Sequence, residues 1–461
     1  MGYFGRKVIY SNAAEVNASN VLDVLAKSRP IHLKNRNKIN FLYKYYRGIQ
    51  PILNRKKDVR PEICNKIAEN RAYEIVSFKV GYLCGEPIQY VSRSSKAQVG
   101  RDIARLNDMM LAESRATKDK EMFEWQMIAG TAYKMAMVSE NKNAFSPFEI
   151  YITDPRDSYV IYSSAIGNKP LAGVYIGKDE TDREIQTVYT DSEVFVCRGN
   201  EIIDVKSHAL GRVPLVEYPA NNARLGAFEP VIPILDAINT VASNRIDGVE
   251  QFVQSLMKFI NCEIDKDTFA QLMQLGAIQI KSSDGNNADV EIMTQELNQT
   301  QTQTLVDYMY QTVLTITGMP NRNGGSSTSD TGAASLLRDG WSSAEARAKD
   351  SELMFKRSEQ ELLKIILPVC EELSGVRLSL QDVEIKFTRR NYENIQTKSQ
   401  VLTTMLNNDK IDPRLAFYHC GLFTDSEEAY QLSMKWYEKQ TAEMQKSLKE
   451  GLNDGRSAES V

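Results

Sequence analysis

Apolar residues recur at helical spacing near both ends of this chain and at strand spacing between them. In residues 37–48, Ile39, Leu42, Tyr43 and Tyr46 share one helical face, and Gly48 stands where that helix should stop. A weaker pattern predicts a short helix over 14–26. Residues 61–81 place Ile63, Ile67, Ala68, Ile75, Val76 and Val80 on one stripe, predicting a long helix broken by the glycines of 81–87. Helices over 102–117 and 118–130 follow. From 131 to 217 the period falls to two, and 132–138, 148–152, 159–162, 171–176, 184–190 and 193–197 read as strands, an antiparallel meander of about six. Asp154, Pro155, Arg156 and Asp157 form a turn within it.

The second half opens on the longest pattern. Val231, Ile234, Leu235, Ile238, Val241, Ile246, Val249, Phe252, Leu256 and Ile260 recur at threes and fours, predicting a helix of about 45 Å. Residues 265–298 read as a small insert: a helix over 268–275, a strand over 277–280, a turn at Asp284 and Gly285, and a returning strand over 290–293. A second helix, 296–317, carries a narrow stripe (Leu305, Met309, Val313, Ile316) beside uncharged Gln and Thr, and Gly318 and Pro320 end it. Residues 321–330 contain no apolar side chain and predict a flexible loop. The helix resumes at Ala333, kinks at Gly340 and Trp341, pairs Glu345 with Lys349 and runs to 373. A strand pair over 378–389, helices over 395–407, 413–420 and 425–452, and a disordered polar tail from 453 complete an α+β chain.

Composition narrows the function. With 461 residues, 42% of them hydrophobic, the chain has ample material for a core of several parts. Its six cysteines show no paired spacing and its first thirty residues lack a signal-peptide pattern, so reduced thiols in a cytosolic compartment are expected. No apolar window is long enough for a membrane span. A net charge of -4 argues against gripping nucleic acid over the whole surface. The charge is uneven, however: 34–60 holds nine bases against Asp58 alone, whereas 229–316 holds twelve acids against four bases.

Catalytic signatures are missing. There is no Walker A sequence, GxSxG elbow, HExxH or metal-spaced Cys and His set, and His32, His208 and His419 stand apart. Gly324 and Gly325 lack the Gly-Lys-Ser/Thr ending of a phosphate loop. The stretch Tyr43, Lys44, Tyr45, Tyr46, Arg47 has the aromatic and basic mixture of a nucleic-acid surface, but reads better as a helix with Tyr inside and Lys solvated. No enzyme activity, cofactor or metal is expected.

The order of parts resembles the portal proteins of tailed double-stranded DNA bacteriophages, of siphophage type. The resemblance rests on 40–48 with Gln50, Pro51, Ile52 and Arg55, on Asn65 with Asn70, Arg71 and Ala72, on 81–88, on Asp154, Pro155 and Arg156, and on 213–222. It implies an elongated subunit: an α/β wing (1–228, rejoined by 377–390), two long stem helices (229–262 and 296–318), a small α/β clip (263–295), a tunnel loop (319–330), a long kinked helix behind it (331–376) and a helical crown with a polar tail (391–461). The loop proper would be Asn321, Arg322, Asn323, Gly324, Gly325, Ser326, Ser327, Thr328, Ser329 and Asp330. Partner docking on the clip would involve Asp265, Lys266, Asp267, Lys281, Asp284 and Asp289.

It further implies a ring of about 12 subunits at one capsid vertex of the virion, assembled in the host cytoplasm, with double-stranded DNA passing through it. The terminase large subunit, a head-completion or adaptor protein, and capsid and scaffold proteins would be its partners, with no membrane involved. Acids together with uncharged Gln and Thr on a channel wall would keep phosphate contacts weak. The competing readings are a soluble nucleic-acid-processing enzyme and a scaffold or adaptor protein, which assembly mass and activity assays would separate.

Overall fold

A computed structural model describes residues 5–94, 96–141, 145–253, 256–260, 289–293, 299–321, 340–388, 395–423 and 425–458. In chain order the elements are β1 (Ile9–Ser11), α1 (Val21–Tyr46), α2 (Arg71–Cys84), β2 (Gln89–Ser92), α3 (Ala97–Ala112), α4 (Arg115–Ala129), β3 (Thr131–Val138), β4 (Phe148–Thr153), β5 (Ser158–Ser163), β6 (Pro170–Lys178), β7 (Glu184–Tyr189), β8 (Glu193–Arg198), β9 (Glu201–Ser207) and β10 (Leu215–Pro219). Then come α5 (Ile232–Val253), β11 (Leu256–Ile260), β12 (Asp289–Met293), α6 (Gln299–Thr317), α7 (Trp341–Ser374), β13 (Val383–Lys386), α8 (Ile395–Leu406), α9 (Pro413–His419) and α10 (Ser426–Ala458). The chain is α+β. It divides into two compact units, one made of Met1–Tyr43, Tyr73–Pro230 and Thr317–Val461, the other of Lys44–Ala72 and Val231–Ile316.

In the first unit the expected single meander is two sheets. One runs β1-β5-β6-β7-β8-β9, antiparallel except for the parallel pair β1 and β5. Val21, Val24 and Leu25 of α1 join its core with Ile9, Tyr159, Ile161, Val174, Val188 and Phe195. The other runs β10-β3-β4, with Tyr133 facing Glu217 on one side and Thr153 on the other. The separation follows from burial. The first six residues of β3 are all buried, so this strand needs cover on both faces: α4 and α7 meet Lys134 on one, and Tyr133 and Met135 on the other pack with Val160 of β5. Strands β1 and β9 were not expected: β1 is three residues long, and β9 leaves Ile203 and Val205 exposed at a sheet edge, so neither presents a full alternating face.

Several helix boundaries also differ. The two helices expected over 14–26 and 37–48 are one, α1, with Pro30 inside it, and Gly48 follows its end at a φ of 84°. The helix expected over 61–81 begins only at Arg71, and the pair expected over 102–117 and 118–130 meets earlier, at Ser114 with a φ of 55°. Among the described residues the long helix starts at Trp341, with Gly340 in a left-handed conformation just before it, and the start expected at Ala333 lies outside the described residues. The strand pair expected over 378–389 is the single strand β13, which pairs Ile385 with Tyr90 of β2. The tail expected to be disordered from 453 continues α10 to Ala458.

The second unit shows the largest revision. The helix expected to reach Ile260 ends at Val253, and Leu256–Ile260 is a strand paired antiparallel with β12. Leu256, Met257, Phe259 and Ile260 form a short apolar run that fits either period, and strand pairing decides between them. The strand expected over 277–280 lies outside the described residues.

Candidate functional site

Three arrangements in this fold stand out, the first on α5. Its buried stripe is apolar at the start (Leu235, Ile238) and turns polar at Asn239, Ser243 and Asp247. Those three side chains accept the backbone amides of Glu69 (2.9 Å), Ile67 (3.0 Å) and Asn65 (2.7 Å) in turn. The spacing is a physical match. Four residues of helix rise about 6 Å and two residues of extended chain about 6.6 Å, so every fourth helical side chain meets every second amide. Arg55 and Lys57 close the end of the ladder on Asp247, at 3.0 and 3.1 Å, and Tyr45 donates to Asp236. Burial pushes the Asp247 carboxyl up, but the bonds from Asn65 and Lys57 and the charge of Arg55 hold it down to about 2.

The opposed charge blocks of 34–60 and 229–316 are thus partly spent on each other. Glu229, too, is buried, on Arg6 at 2.5 Å. The apolar positions Ile246 and Val249 of α5 and Leu305, Tyr308 and Ile316 of α6 are exposed. Arg245 joins the two helices through Gln303 at 2.8 Å, and Arg71 lies over the Tyr310 ring at 4.4 Å.

The second arrangement surrounds residues 317–320 and 340–341. Lys79 of α2 donates to the Thr317 carbonyl at 2.8 Å, at the last residue of α6. Gly318 follows at a φ of 68°, and a Cβ there would lie 2.7 Å from Cγ of Arg347, so only glycine fits. At the other end, Trp341 meets Phe78 and Tyr82 of α2 at ring distances of 6.2 and 6.1 Å, and Tyr82 donates to Glu345. Residues 320 and 340 adjoin: a Cβ on Gly340 would lie 3.8 Å from Cα of Pro320. Burial, and secondarily the charge of Arg347, brings the Lys79 ammonium down to about 8.

The third is a buried charge cluster. Lys134 of β3 contacts Asp119 of α4 at 2.5 Å and Glu359 of α7 at 3.2 Å, while Arg115 contacts the same two carboxylates, each at 3.1 Å. Tyr90 and Tyr218 donate to Glu359 at 2.7 and 2.6 Å. Arg115 also lies over the Tyr90 ring at 3.9 Å. Burial pushes the Glu359 carboxyl up, but Lys134, Arg115 and the two phenols outweigh it and hold the group well below the usual range. Two cations on two anions make a neutral set, all four side chains buried.

Among the described residues no group of three or more His, Cys, Asp or Glu is placed to hold a metal ion, and no helix is long and apolar enough to cross a membrane. His32 is buried, donates Nε2–H to the Arg156 carbonyl and stacks on Tyr159; burial lowers it to about 4. Tyr45 is buried and Lys44 exposed, as a helix with Tyr inside requires. The Asp154 turn holds Arg156 on its own carboxylate.

The model of a family described as phage portal protein, SPP1 Gp6-like, matches residues 25–452. The chain belongs to this family. No curated protein matches it. Among solved structures it is similar to a chain in the neck of an empty GTA particle computed with C6 symmetry, at 12% identity over 76% of this chain and 90% of that one, with a TM-score of 0.42.

Within this portal-family chain the expected site residues are mostly beyond reach. Of the tunnel loop, Asn321 is described and Arg322 to Asp330 are not; of the docking set, Asp265, Lys266, Asp267, Lys281 and Asp284 lie outside the described residues. Asp289 is placed by its backbone as the first residue of β12, opposite Ile260. Sequence reasoning passed over Lys79, Lys134, Asp119 and Glu359. A signal existed for two of them: Lys134 is the one charge in a strand whose first six positions are buried, and Glu359 sits on the stripe of Phe355, Leu362 and Ile366.

Proposed function

We propose that copies of this chain close into a ring of about 12 subunits at one capsid vertex, through which double-stranded DNA is packaged, retained and later ejected. Membership of the portal family carries this reading. The exposed apolar positions on α5 and α6 support it, because such a face on one copy is stabilised when a neighbouring copy covers it. Residues 263–295 would dock the terminase large subunit and later a head-completion protein, and 321–330 would line the narrowest part of the channel. Function would then arise from repetition around an axis, without catalysis in one subunit. Native mass spectrometry of the purified chain tests it: an assembly near twelve times the subunit mass, lacking nuclease and ATPase activity, is expected. A stable monomer would sink the proposal.

A further inference from the structure

A groove of about 690 Å³ lies beside β10 in the first unit, with Val160, Leu215 and Met354 among the residues of its wall. Its charges are unequal. Arg224 is spent on Glu217 and Glu361 on Lys364, whereas Lys169, Arg212 and Arg357, which also line it, make no ion pair or side-chain hydrogen bond among the described residues. Against them stands Asp191, bonded to Ser192. Ser358 of α7, 5% exposed, lines the groove too, and its hydroxyl has no partner among the described residues. The wall therefore offers donors and positive charge beside apolar surface, and carboxylates are its chemical match.

The other edge of the same sheet carries that match. In the order β10-β3-β4, β10 borders the groove and β4 is the far edge. Around β4, Val138, Phe145 and Tyr151 are exposed. Tyr151 donates to Glu149, and that bond, then burial and the charges of Glu149, Glu113 and Glu140, push its phenol up to about 12. Glu113 is paired with Lys118, whereas Glu140 and Glu149 have no cation among the described residues. The two edges lie two strand spacings apart, about 10 Å, on opposite sides of β3, so one copy cannot bring them together.

We propose that the β4 edge of one copy seats against the groove of the next, Glu140 and Glu149 meeting Lys169, Arg212 and Arg357 while Phe145 and Tyr151 cover the apolar wall. Two different surfaces of the same chain then meet head to tail, the kind of contact that builds a ring by repetition. Carboxylates and guanidinium groups gain charge-assisted bonds there, and the wrong pairings, groove on groove or edge on edge, are repelled. The inference deepens the proposed function and rests on it for the ring. What it adds is which two surfaces of the first unit join.

The test uses the full-length purified protein and native mass spectrometry. The groove variant is Arg212→Glu with Arg357→Glu, and the edge variant is Glu140→Lys with Glu149→Lys. Each sets like charges face to face between copies and should lower the ring fraction by about tenfold or more, with the thermal midpoint of the subunit unchanged. Mixed in equal amounts, the two variants present opposite charges at every contact, and rings of near wild-type mass should return. Either variant assembling alone at the wild-type level would overturn the inference and leave the groove to an acidic segment of another protein. A mixture that stays unassembled would overturn it as well. Should the Glu149 reversal unfold the chain, Glu140→Lys alone takes its place, Glu140 being exposed, and is read in the same way. A wild-type chain that forms no ring refutes the portal reading and this contact together, whereas a wild-type ring indifferent to both variants refutes this contact alone.

Discussion

The backbone amide of Asn65 donates to Oδ1 of Asp247 at 2.7 Å, and the Asn65 side chain donates to the same oxygen at 3.0 Å. This contact ends a ladder in which a helix, by its side chains alone, satisfies the backbone of a neighbouring segment. Asp247→Ala should cost about 1.5–3 kcal/mol, as expected for charge-assisted hydrogen bonds to a buried carboxylate. Hydrogen exchange at the amides of Asn65, Ile67 and Glu69 should quicken in this variant. Glu250→Ala, on the exposed side of the same helix, is the control and should stay within about 0.5 kcal/mol of wild type.

The same carboxylate sets an acid limit. Its folded value of about 2 lies below the ordinary aspartate value of 3.8, so its contribution is fully present above 3.8 and is lost as pH falls through 2. The thermal midpoint should therefore decline between pH 4 and pH 2. Asp247→Asn should start lower at neutral pH and decline less over that window.

Breaking the Lys134 and Glu359 cluster from one side should be severe. Glu359→Gln leaves Lys134 and Arg115 with one buried carboxylate between them, and Lys134→Met leaves Asp119 and Glu359 with Arg115 alone. Each should cost about 3–5 kcal/mol in denaturant unfolding. The double variant should cost less than the sum, because removing both partners leaves fewer uncompensated charges.

Deleting 322–330 should leave ring assembly intact by native mass spectrometry but reduce packaging or retention of DNA. Failure to assemble would show that the segment is needed for structure and not for the channel.

Charge reversals at Asp265, Lys266, Asp267 and Asp284 should weaken capture of the terminase large subunit in a pull-down and leave assembly mass unchanged. Retained capture would remove residues 263–295 from the docking role.

Local pattern carried much of this protein. Where one period dominates, as in strands β4, β6, β7 and β8 and helices α6, α8 and α9, hydrophobic spacing located the element within a few residues, and Gly48 and Gly318 marked true helix ends. Those elements were legible because burial of one face is written in the residues themselves. Other features were decided only in three dimensions. Residues 64–70 carry a helical stripe yet are not helical, because Asn239, Ser243 and Asp247 claim the amides a helix would use. Leu256–Ile260 is a strand because β12 pairs with it. Strands β3 and β5 separate into different sheets because both faces of β3 take cover. Lys79, Lys134 and Glu359 look like misplaced charges until Thr317 meets the first and the other two meet each other, each across more than two hundred residues of sequence. Spacing along a chain records which face is buried, whereas the partner of a buried amide or charge is chosen by whatever the completed fold brings within about 3 Å.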